Sequence, residues 1–581
     1  MSRVATLTAG AFGVLALSPL AHSQSFVTVV RDGDAITGAG NVTLINNVAV
    51  NDGGSYLIEV DTDFPDTDLD VALINSVGTV LLEGQSLPLP VGSLLDSFDT
   101  VNLNSSGDSC WNFFLDGTTG SSDDSGVYFN TSLLVQEGSV SSAPEFTAGT
   151  PYRGFFEVKL NNTGDALVMA SVDDPNIPST TDRALVVLDL DASGTLLSES
   201  VFLKEGDAPA SLLGDTITDF ETGPHNFAFN DSGVVAYVVD CTSNFGGNNA
   251  LYRGSDMLAR EGDPSPVPGR NWASLSSRPI ALNNNGTLFW RGDVDGDTAD
   301  DELLMLTNTA GTNQVLARQG DAVALPAGIF QITDFGSSAP LGLSEDGDLL
   351  YFVDTNNPDT SQDECLMWNG KVLVQEGVTQ VGVDTIVSIG TGVSDLFSLS
   401  PSGDFLIFEC RLTGNVDAAV LVDLSSATLD GPSCNDSDGS LASCPCGNAG
   451  SPTSGCEIAQ GTGGVHLSLL TQSTSPQNRA TLIGNGFPTA STPTSVIIRA
   501  PALDGGSPVV FGDGLRCVGL PITRLSATLA ADGTTTHPFG HGAMAGAGTF
   551  YYQAWFRNTP ISFCDATAAF NLSNGHSITW P

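Results

Sequence analysis

The sequence predicts an all-β protein, a seven-bladed β-propeller followed by a small disulfide-stapled β-sandwich. Three observations carry that expectation. A unit made of an apolar residue, an Asn-x-x-Gly-type turn and an apolar run recurs seven times, its turns ending at Gly54, Gly107, Gly164, Gly233, Gly286, Gly347 and Gly403. The successive spacings, 53, 57, 69, 53, 61 and 56 residues, are those of a propeller or solenoid array. Charge and cysteine content both change near residue 430, which marks a second domain.

The N-terminus reads as an export signal. Arg3 is the only charge before Arg31, Val4 to Leu20 is weakly apolar, and Ala21-His22-Ser23 supplies the small-x-small pattern of a cleavage site, placed after Ser23. The stretch is short for a membrane anchor and lacks stop-transfer charges, and no later segment approaches the ~20 apolar residues of a spanning helix. Residues 1–23 are therefore assigned to a signal peptide, 24–429 to the repeat domain, 430–455 to a linker and cysteine-rich start, and 456–581 to the C-terminal sandwich. The mature protein is expected outside the cytoplasm, secreted or held at the cell surface or in the periplasm, as a monomer.

Net charge is −47, and there are three lysines, Lys159, Lys204 and Lys371. Such a field repels nucleic-acid phosphates and anionic lipids, which makes both poor candidate partners. Disorder is excluded by 41% hydrophobic residues set in regular runs. The acidity is confined to the repeats: from Pro432 onward seven acids face five arginines, a net of −2.

Each repeat holds a second marker about 30 residues past its turn, a strand running into a Glu-Gly-Asp-like turn, as in Lys204-Glu-Gly-Asp207 and Arg260-Glu-Gly-Asp263. Between the markers lie short runs such as Val234-Val-Ala-Tyr-Val-Val239, bounded by Gly, Asn and Asp, which are strands. A unit of this length accommodates about four of them, the content of one blade. The chain starts with a second-marker strand, Phe26 to Val30, and the unit at Gly403 ends without one. Closure by pairing the two ends explains that permutation, and a closed ring leaves no edge to cap.

Leu343-Ser-Glu-Asp-Gly-Asp-Leu-Leu-Tyr-Phe352 and Leu399-Ser-Pro-Ser-Gly-Asp-Phe-Leu-Ile-Phe408 resemble the strand-turn units of TolB-type and WD40-like propellers. Over residues 26–425 the units more closely resemble the Asn-x-x-Gly-x-x-x-Phe tandem repeats of secreted planctomycete-type proteins, with Ser344 and Ser400 departing from Asn. That resemblance implies a repeat scaffold and assigns no catalytic residues. Cys444-Pro-Cys-Gly-Asn-Ala-Gly450, Gly514-Leu-Arg-Cys-Val-Gly519, Tyr552-Gln-Ala-Trp-Phe-Arg557 and Phe570-Asn-Leu-Ser-Asn574 look like a C-terminal module of exported planctomycete proteins. It implies a β-sandwich with a surface-retention or sorting role.

Six cysteines, Cys434, Cys444, Cys446, Cys456, Cys517 and Cys564, lie in the C-terminal part. A zinc site needs two closely spaced pairs, and the single C-x-C favours disulfides in an exported protein, with connectivity open. Cys365 and Cys410, on neighbouring units, form a further candidate pair, whereas Cys110 and Cys241 have no assigned role. In Asp293-Val-Asp-Gly-Asp-Thr-Ala-Asp-Asp-Glu302, the residues Asp293, Asp295, Asp297, Asp301 and Glu302 form a candidate structural calcium loop. Set against it is an ordinary solvated acidic turn. No catalytic constellation accompanies His225, and His537 and His541, considered as metal ligands, have no neighbouring carboxylate.

Two classes of function follow. The preferred one is an exported non-catalytic scaffold that binds an extracellular protein or glycan on its central face, without a cofactor. The alternative is a polysaccharide-acting hydrolase or lyase using carboxylates near the ring axis.

Overall fold

The computed structural model describes residues 25–424 and 444–580, short internal loop segments excepted, so the signal-peptide assignment and Cys434 lie outside the described residues. The described chain is all-β, its one helical element being the 3-10 turn Pro445–Gly447. Among the described residues no helix is long and apolar enough to cross a membrane.

Seven antiparallel sheets follow one another between residues 35 and 423, spanning 35–82, 94–136, 152–204, 217–260, 272–318, 322–375 and 380–423. They are numbered 1 to 7 here. The strand Ser25–Arg31 does not join its sequence neighbours in sheet 1. It pairs antiparallel with Val416–Asp423 of sheet 7, Ser25 opposite Asp423 and Arg31 opposite Ala418. The expected closing strand is thus in place.

Packing closes the same circle. Seven apolar cores each lie between consecutive sheets. Leu57 and Leu73 of sheet 1 meet Trp111, Phe113 and Tyr128 of sheet 2, and so on round to sheet 7. The last core joins Ile407, Ala419 and Val30 of sheet 7 to Ile45, Ile58 and Ala72 of sheet 1. Each sheet is covered on both faces by its neighbours, which is why the strands read as near-continuous apolar runs.

The repeated turn explains its own consensus. Asn51 Oδ1 accepts from the backbone N–H of Gly53 and Ser55, each at 3.0 Å, while Gly54 N–H returns to Asn51 O at 3.0 Å. Gly54 sits at φ 71°, a region costly to a side chain. Asn104, Asn161 and Asn230 repeat the double cap. Where Ser replaces Asn, its hydroxyl takes over: Asp348 N–H donates to Ser344 Oγ at 2.8 Å and Phe405 N–H to Ser400 Oγ at 3.0 Å.

The turns also bond to one another. The side-chain amide of Asn161 donates to Asn230 O (3.4 Å), that of Asn230 to Asn283 O (3.0 Å), and that of Asn283 to Ser344 O (3.2 Å). The second residue of each turn runs a parallel circuit. Ser105 N–H donates to Asn162, Asn162 N–H to Asp231, Asp231 N–H to Asn284 and Asn284 N–H to Glu345. Glu345 N–H donates to Pro401 O, Ser402 N–H to Asp52, and Ser105 Oγ to Asp52. The circuit returns to its start through all seven turns.

The Glu of the second marker has a local task as well. Glu83 Oε2 accepts from the N–H of Asp70 (2.8 Å) and Val71 (3.0 Å), tying its turn to the start of the strand Val71–Asn75. Burial pushes Glu83 up to about 7, and burial with the Glu364 and Asp363 charges nearby pushes Glu376 up to about 8.

Beyond residue 444 a three-stranded sheet (His466–Ser473, Arg479–Asn485, Thr534–Gly540) faces a four-stranded one (Thr523–Leu529, Thr494–Ala500, Gly548–Arg557, Phe570–Trp580). Leu467, Leu482, Ile497, Tyr552, Phe556 and Ile578 of the two share one core. Disulfides Cys444–Cys456 and Cys446–Cys564 pin its start, and Cys517 is also disulfide-bonded. This region docks on sheets 5 and 6. Ile483 joins the core of Leu306 and Leu316, and His466 Nε2 lies 3.4 Å from the buried Asp348 Oδ1. Burial alone would raise the Asp348 carboxyl, but bonds from His466, Asn369 and Ser344 hold it below the usual carboxylate range.

Candidate functional site

Strands from all seven sheets line one cavity of about 420 Å³. The apolar residue that precedes each turn supplies its collar: Val50, Leu103, Leu160, Phe229, Leu282, Leu343 and Leu399 all line it. Apolar positions at one register of every repeat therefore meet at a single place, although they are up to 349 residues apart in the chain.

Three or four positions earlier, the repeats diverge. Sheets 1 to 4 place Asn47, Asp99, Glu157 and His225 on the cavity wall, whereas sheet 6 places Pro340 there. Among the described residues, the ionisable side chains on the wall thus come from one side, sheets 2 to 4. Asn47 Nδ2 donates to Glu59 Oε2 at 2.5 Å, and Asn112 Nδ2 donates to Asp99 Oδ2 at 3.0 Å. Asn102 Nδ2 donates to Val158 O at 2.6 Å, joining sheets 2 and 3 across the wall.

Glu157 is the centre of this polar side. Its Oε1 pairs with the Lys159 ammonium and accepts the backbone N–H of His225 at 3.2 Å, linking sheets 3 and 4. Its Oε2 is buried and accepts no hydrogen bond. His225 adopts φ 64°, and its carbonyl accepts from Ile280 N–H at 2.8 Å, carrying the link to sheet 5. The wall holds two carboxylates, Asp99 and Glu157, against one ammonium, Lys159. Chemically it can accept hydrogen bonds and stabilise positive charge, and the collar can bury an apolar group.

The residues singled out in the sequence lie elsewhere. Asp293 and Glu302 face each other on paired strands, and the arginines claim them: Arg278 reaches Asp293 at 2.7 Å and Glu302 at 3.4 Å, and Arg291 reaches Glu302 at 3.5 Å. Asp295 accepts the N–H of Asn271 and Asp297 that of Ala299. Asp301 is held in the turn by its backbone, its carbonyl accepting Val294 N–H. No group of three or more Asp, Glu, His or Cys converges among the described residues, so the five acids of the loop are not brought together.

Cys365 and Cys410 do not pair. Cys365 points into the core shared by sheets 5 and 6, whereas Cys410 packs in the next core, the one that takes Leu366, the chain neighbour of Cys365. Alternate strand residues face opposite ways, so the two thiols are on opposite faces of sheet 6. Burial pushes the Cys365 thiol up to about 12, which leaves it inert. His537 is no metal ligand, since its ring nitrogens meet Ser526 Oγ at 3.1 Å and Ser495 Oγ at 3.0 Å, and burial pulls it down to about 4. His541 lies outside the described residues.

Sequence reading missed Glu157 and Lys159 because Glu-Val-Lys within a strand resembles ordinary alternation. One signal was available: Lys159 is one of three lysines in a strongly acidic chain, and it lies two residues before a turn.

No curated protein matches this chain. Among solved structures, it is similar to a mutant puromycin hydrolase complexed with PGG (13% identity, TM-score 0.33, covering 64% of this chain and 53% of that one). It is also similar to a protein of unknown function from Dyadobacter fermentans (11% identity, TM-score 0.24, 57% and 98% covered) and to a Trypanosoma rangeli sialidase in complex with the inhibitor DANA (9%, 0.19, 96% and 92%). The chain thus spans about half the length of the puromycin hydrolase it matches. A family description covers most of the repeat region, matching residues 11–207 and again 198–386. This protein belongs to the family of unknown function DUF7453.

Proposed function

We propose that this protein is an exported, non-catalytic binding scaffold, a seven-bladed β-propeller carrying a β-sandwich module, whose axial cavity holds an extracellular ligand. The observation that carries the reading is the single cavity lined by all seven sheets, apolar at the collar and polar along one side. Closure by Ser25–Arg31, the seven inter-sheet cores and the returning circuit of turns support the propeller. The shared core of the two C-terminal sheets supports the sandwich. Its disulfides and the small-x-small site after Ser23 support export to the cell surface or medium. A polysaccharide-acting enzyme needs two carboxylates free to exchange protons, and Glu157 is tied on one oxygen by Lys159 and His225.

The test is a screen of glycans, peptides and small metabolites against the exported, disulfide-intact protein, with a parallel polysaccharide-degradation assay. A ligand is expected that shifts the methyl resonances of collar leucines and is lost in Leu282→Trp, which fills the cavity, with no depolymerisation. Release of reducing sugar that falls in Glu157→Gln would replace this reading with the hydrolase.

A further inference from the structure

We propose a second binding site, a groove between sheet 5 and the C-terminal region that takes a neutral oligosaccharide held by hydroxyl and amide groups of both walls. It lies outside the axial cavity, and its failure would leave the reading of that cavity untouched. The groove, of about 480 Å³, opens where Ile483 meets Leu306. One wall is a single face of a C-terminal sheet. Thr481, Ile483 and Asn485 alternate along one strand and stand opposite Pro538, Thr536 and Thr534 of the next. The facing wall comes from the outer strand of sheet 5, Asn313–Arg318, and the turn before it, where Asn308 N–H donates to Thr312 O. Ligand sites are found preferentially at such junctions between domains.

Charge decides the ligand class first. In a chain of net charge −47, this groove is lined by seven threonines, three asparagines and one glutamine, and among the described residues no Asp, Glu, Lys, Arg or His lines it. An ion of either sign would lose water there and meet no counter-charge, which favours a neutral ligand. The polar groups then set what that ligand offers. Thr287 and Thr528 are engaged within the protein, their hydroxyls donating to Asn285 Oδ1 at 2.7 Å and Thr536 O at 3.3 Å. The side chains of Thr312, Gln314, Thr481 and Thr536 are half-buried or exposed, and among the described residues none of them has a hydrogen-bond partner. A hydroxyl both donates and accepts, and a carboxamide does so through separate atoms, so a ligand rich in hydroxyls can answer all four. Leu306, Val315, Ile483 and Leu529 lie among them and offer apolar surface to the C–H faces of sugar rings. An extended peptide would instead pair with a run of backbone groups on a strand edge, and the sheet 5 edge brings three residues, Asn313 to Val315, to the groove.

The experiment titrates the full exported, disulfide-intact protein with three neutral trisaccharides, cellotriose, maltotriose and mannotriose, and with trigalacturonate and the glucosamine trimer at matched ionic strength. Calorimetry reads affinity, and the methyl resonances of Val315 on one wall and Ile483 on the other report the place. At least one neutral trisaccharide is expected to shift both methyls and to bind about tenfold tighter than either charged one. Thr481→Val and Thr536→Val keep shape and strand propensity and remove a hydroxyl. Each should weaken that trisaccharide about fivefold, the strength of one neutral hydrogen bond, with the thermal midpoint of the free protein unchanged. Gln314→Arg should raise affinity for trigalacturonate, a gain that misfolding cannot imitate. Charged trisaccharides binding as tightly at these methyls would overturn the neutral class. Shifts confined to one wall would overturn a ligand held by both. Acetyl-Thr-Val-Thr-Val-amide seated there in place of the sugars would assign the groove to a peptide and overturn the saccharide. Val315 and Ile483 methyls unmoved by all three neutral trisaccharides would overturn the site, and shifts at the collar methyls alone would do so while leaving the axial reading in place.

Discussion

The repeat ring and the C-terminal region reach stability by different means. The ring carries four cysteines, Cys110, Cys241, Cys365 and Cys410, all buried and none in a disulfide. Its order comes from repetition: seven cores, seven turns that cap themselves, and a strand from one chain end completing the last sheet. The C-terminal region has one main core, the disulfides Cys444–Cys456 and Cys446–Cys564 near its start, and a further disulfide at Cys517. A fold that closes on itself already restrains the separation of its ends, so a covalent staple would add little. A small two-sheet unit has no such closure, and cross-links restrict its unfolded state instead.

The largest test of this contrast removes the closure. Deleting 25–31 takes Val30 out of its core, breaks the ladder to Val416–Asp423 and leaves that strand as an exposed edge. One fully buried side chain at roughly 1.5–3 kcal/mol and several net hydrogen bonds at about 1 kcal/mol each give a loss of about 5 kcal/mol. Chemical denaturation should show the ring transition moved far down, with the C-terminal transition little changed.

Removing the staples should do the reverse. Cys446–Cys564 closes 118 residues and Cys444–Cys456 closes 12. Chain-entropy bookkeeping assigns them about 5 and about 3 kcal/mol. Cys446→Ser with Cys564→Ser should therefore destabilise the C-terminal region more than the Cys444 and Cys456 double variant, with the ring midpoint unmoved. Equal losses, or a ring that melts first in reductant, would mean that the two regions unfold as one unit.

Acidity supplies a finer separation, because the two regions respond to pH in opposite senses. In the ring, Glu83, Glu137 and Glu376 are raised from 4.5 to about 7, 7 and 8, chiefly by burial. A carboxyl raised in the folded state takes up a proton on folding. Its contribution is full below about pH 4.5 and is lost as pH rises through 7 to 8. Discounted for solvent screening, each is worth about 1 kcal/mol. His537 in the C-terminal region is lowered from 6.5 to about 4 by burial, so its contribution is full above 6.5 and is lost as pH falls toward 4. Thermal unfolding should show the ring more stable at pH 5.5 than at pH 8.5 and the C-terminal region less so. Glu83→Gln should flatten the ring profile.

What was legible in the sequence is what each repeat decides locally. The Asn or Ser of each turn caps its own backbone, and the following Gly takes positive φ, so turn number and spacing stand in the text of the chain. Closure was legible from the permuted ends. The cavity's polar side was not, because Glu157 and His225 lie 68 residues apart, on adjacent sheets, and meet through a backbone N–H that no motif records. The surroundings of the acids from Asp293 to Glu302 were hidden for a similar reason. They stand close in the sequence, but Arg278 and Arg291 answer the charge of Asp293 and Glu302 from outside the motif. Cys365 and Cys410 misled by strand parity, which unit-level spacing does not carry.

The pairing that closes the ring has a mechanical consequence. Ser25 lies opposite Asp423 at one end of the closing ladder, so both chain directions leave the ring at that corner. A tension applied between the N-terminal strand and the C-terminal region would open the ladder like a zip, one rung after another from that corner, without shearing all rungs at once. Two contacts stand outside that line of force, the packing of Ile483 beside Leu306 and the meeting of His466 with Asp348. Anchored to a surface through its C-terminal region, the ring would carry load through those contacts before the zip begins to part.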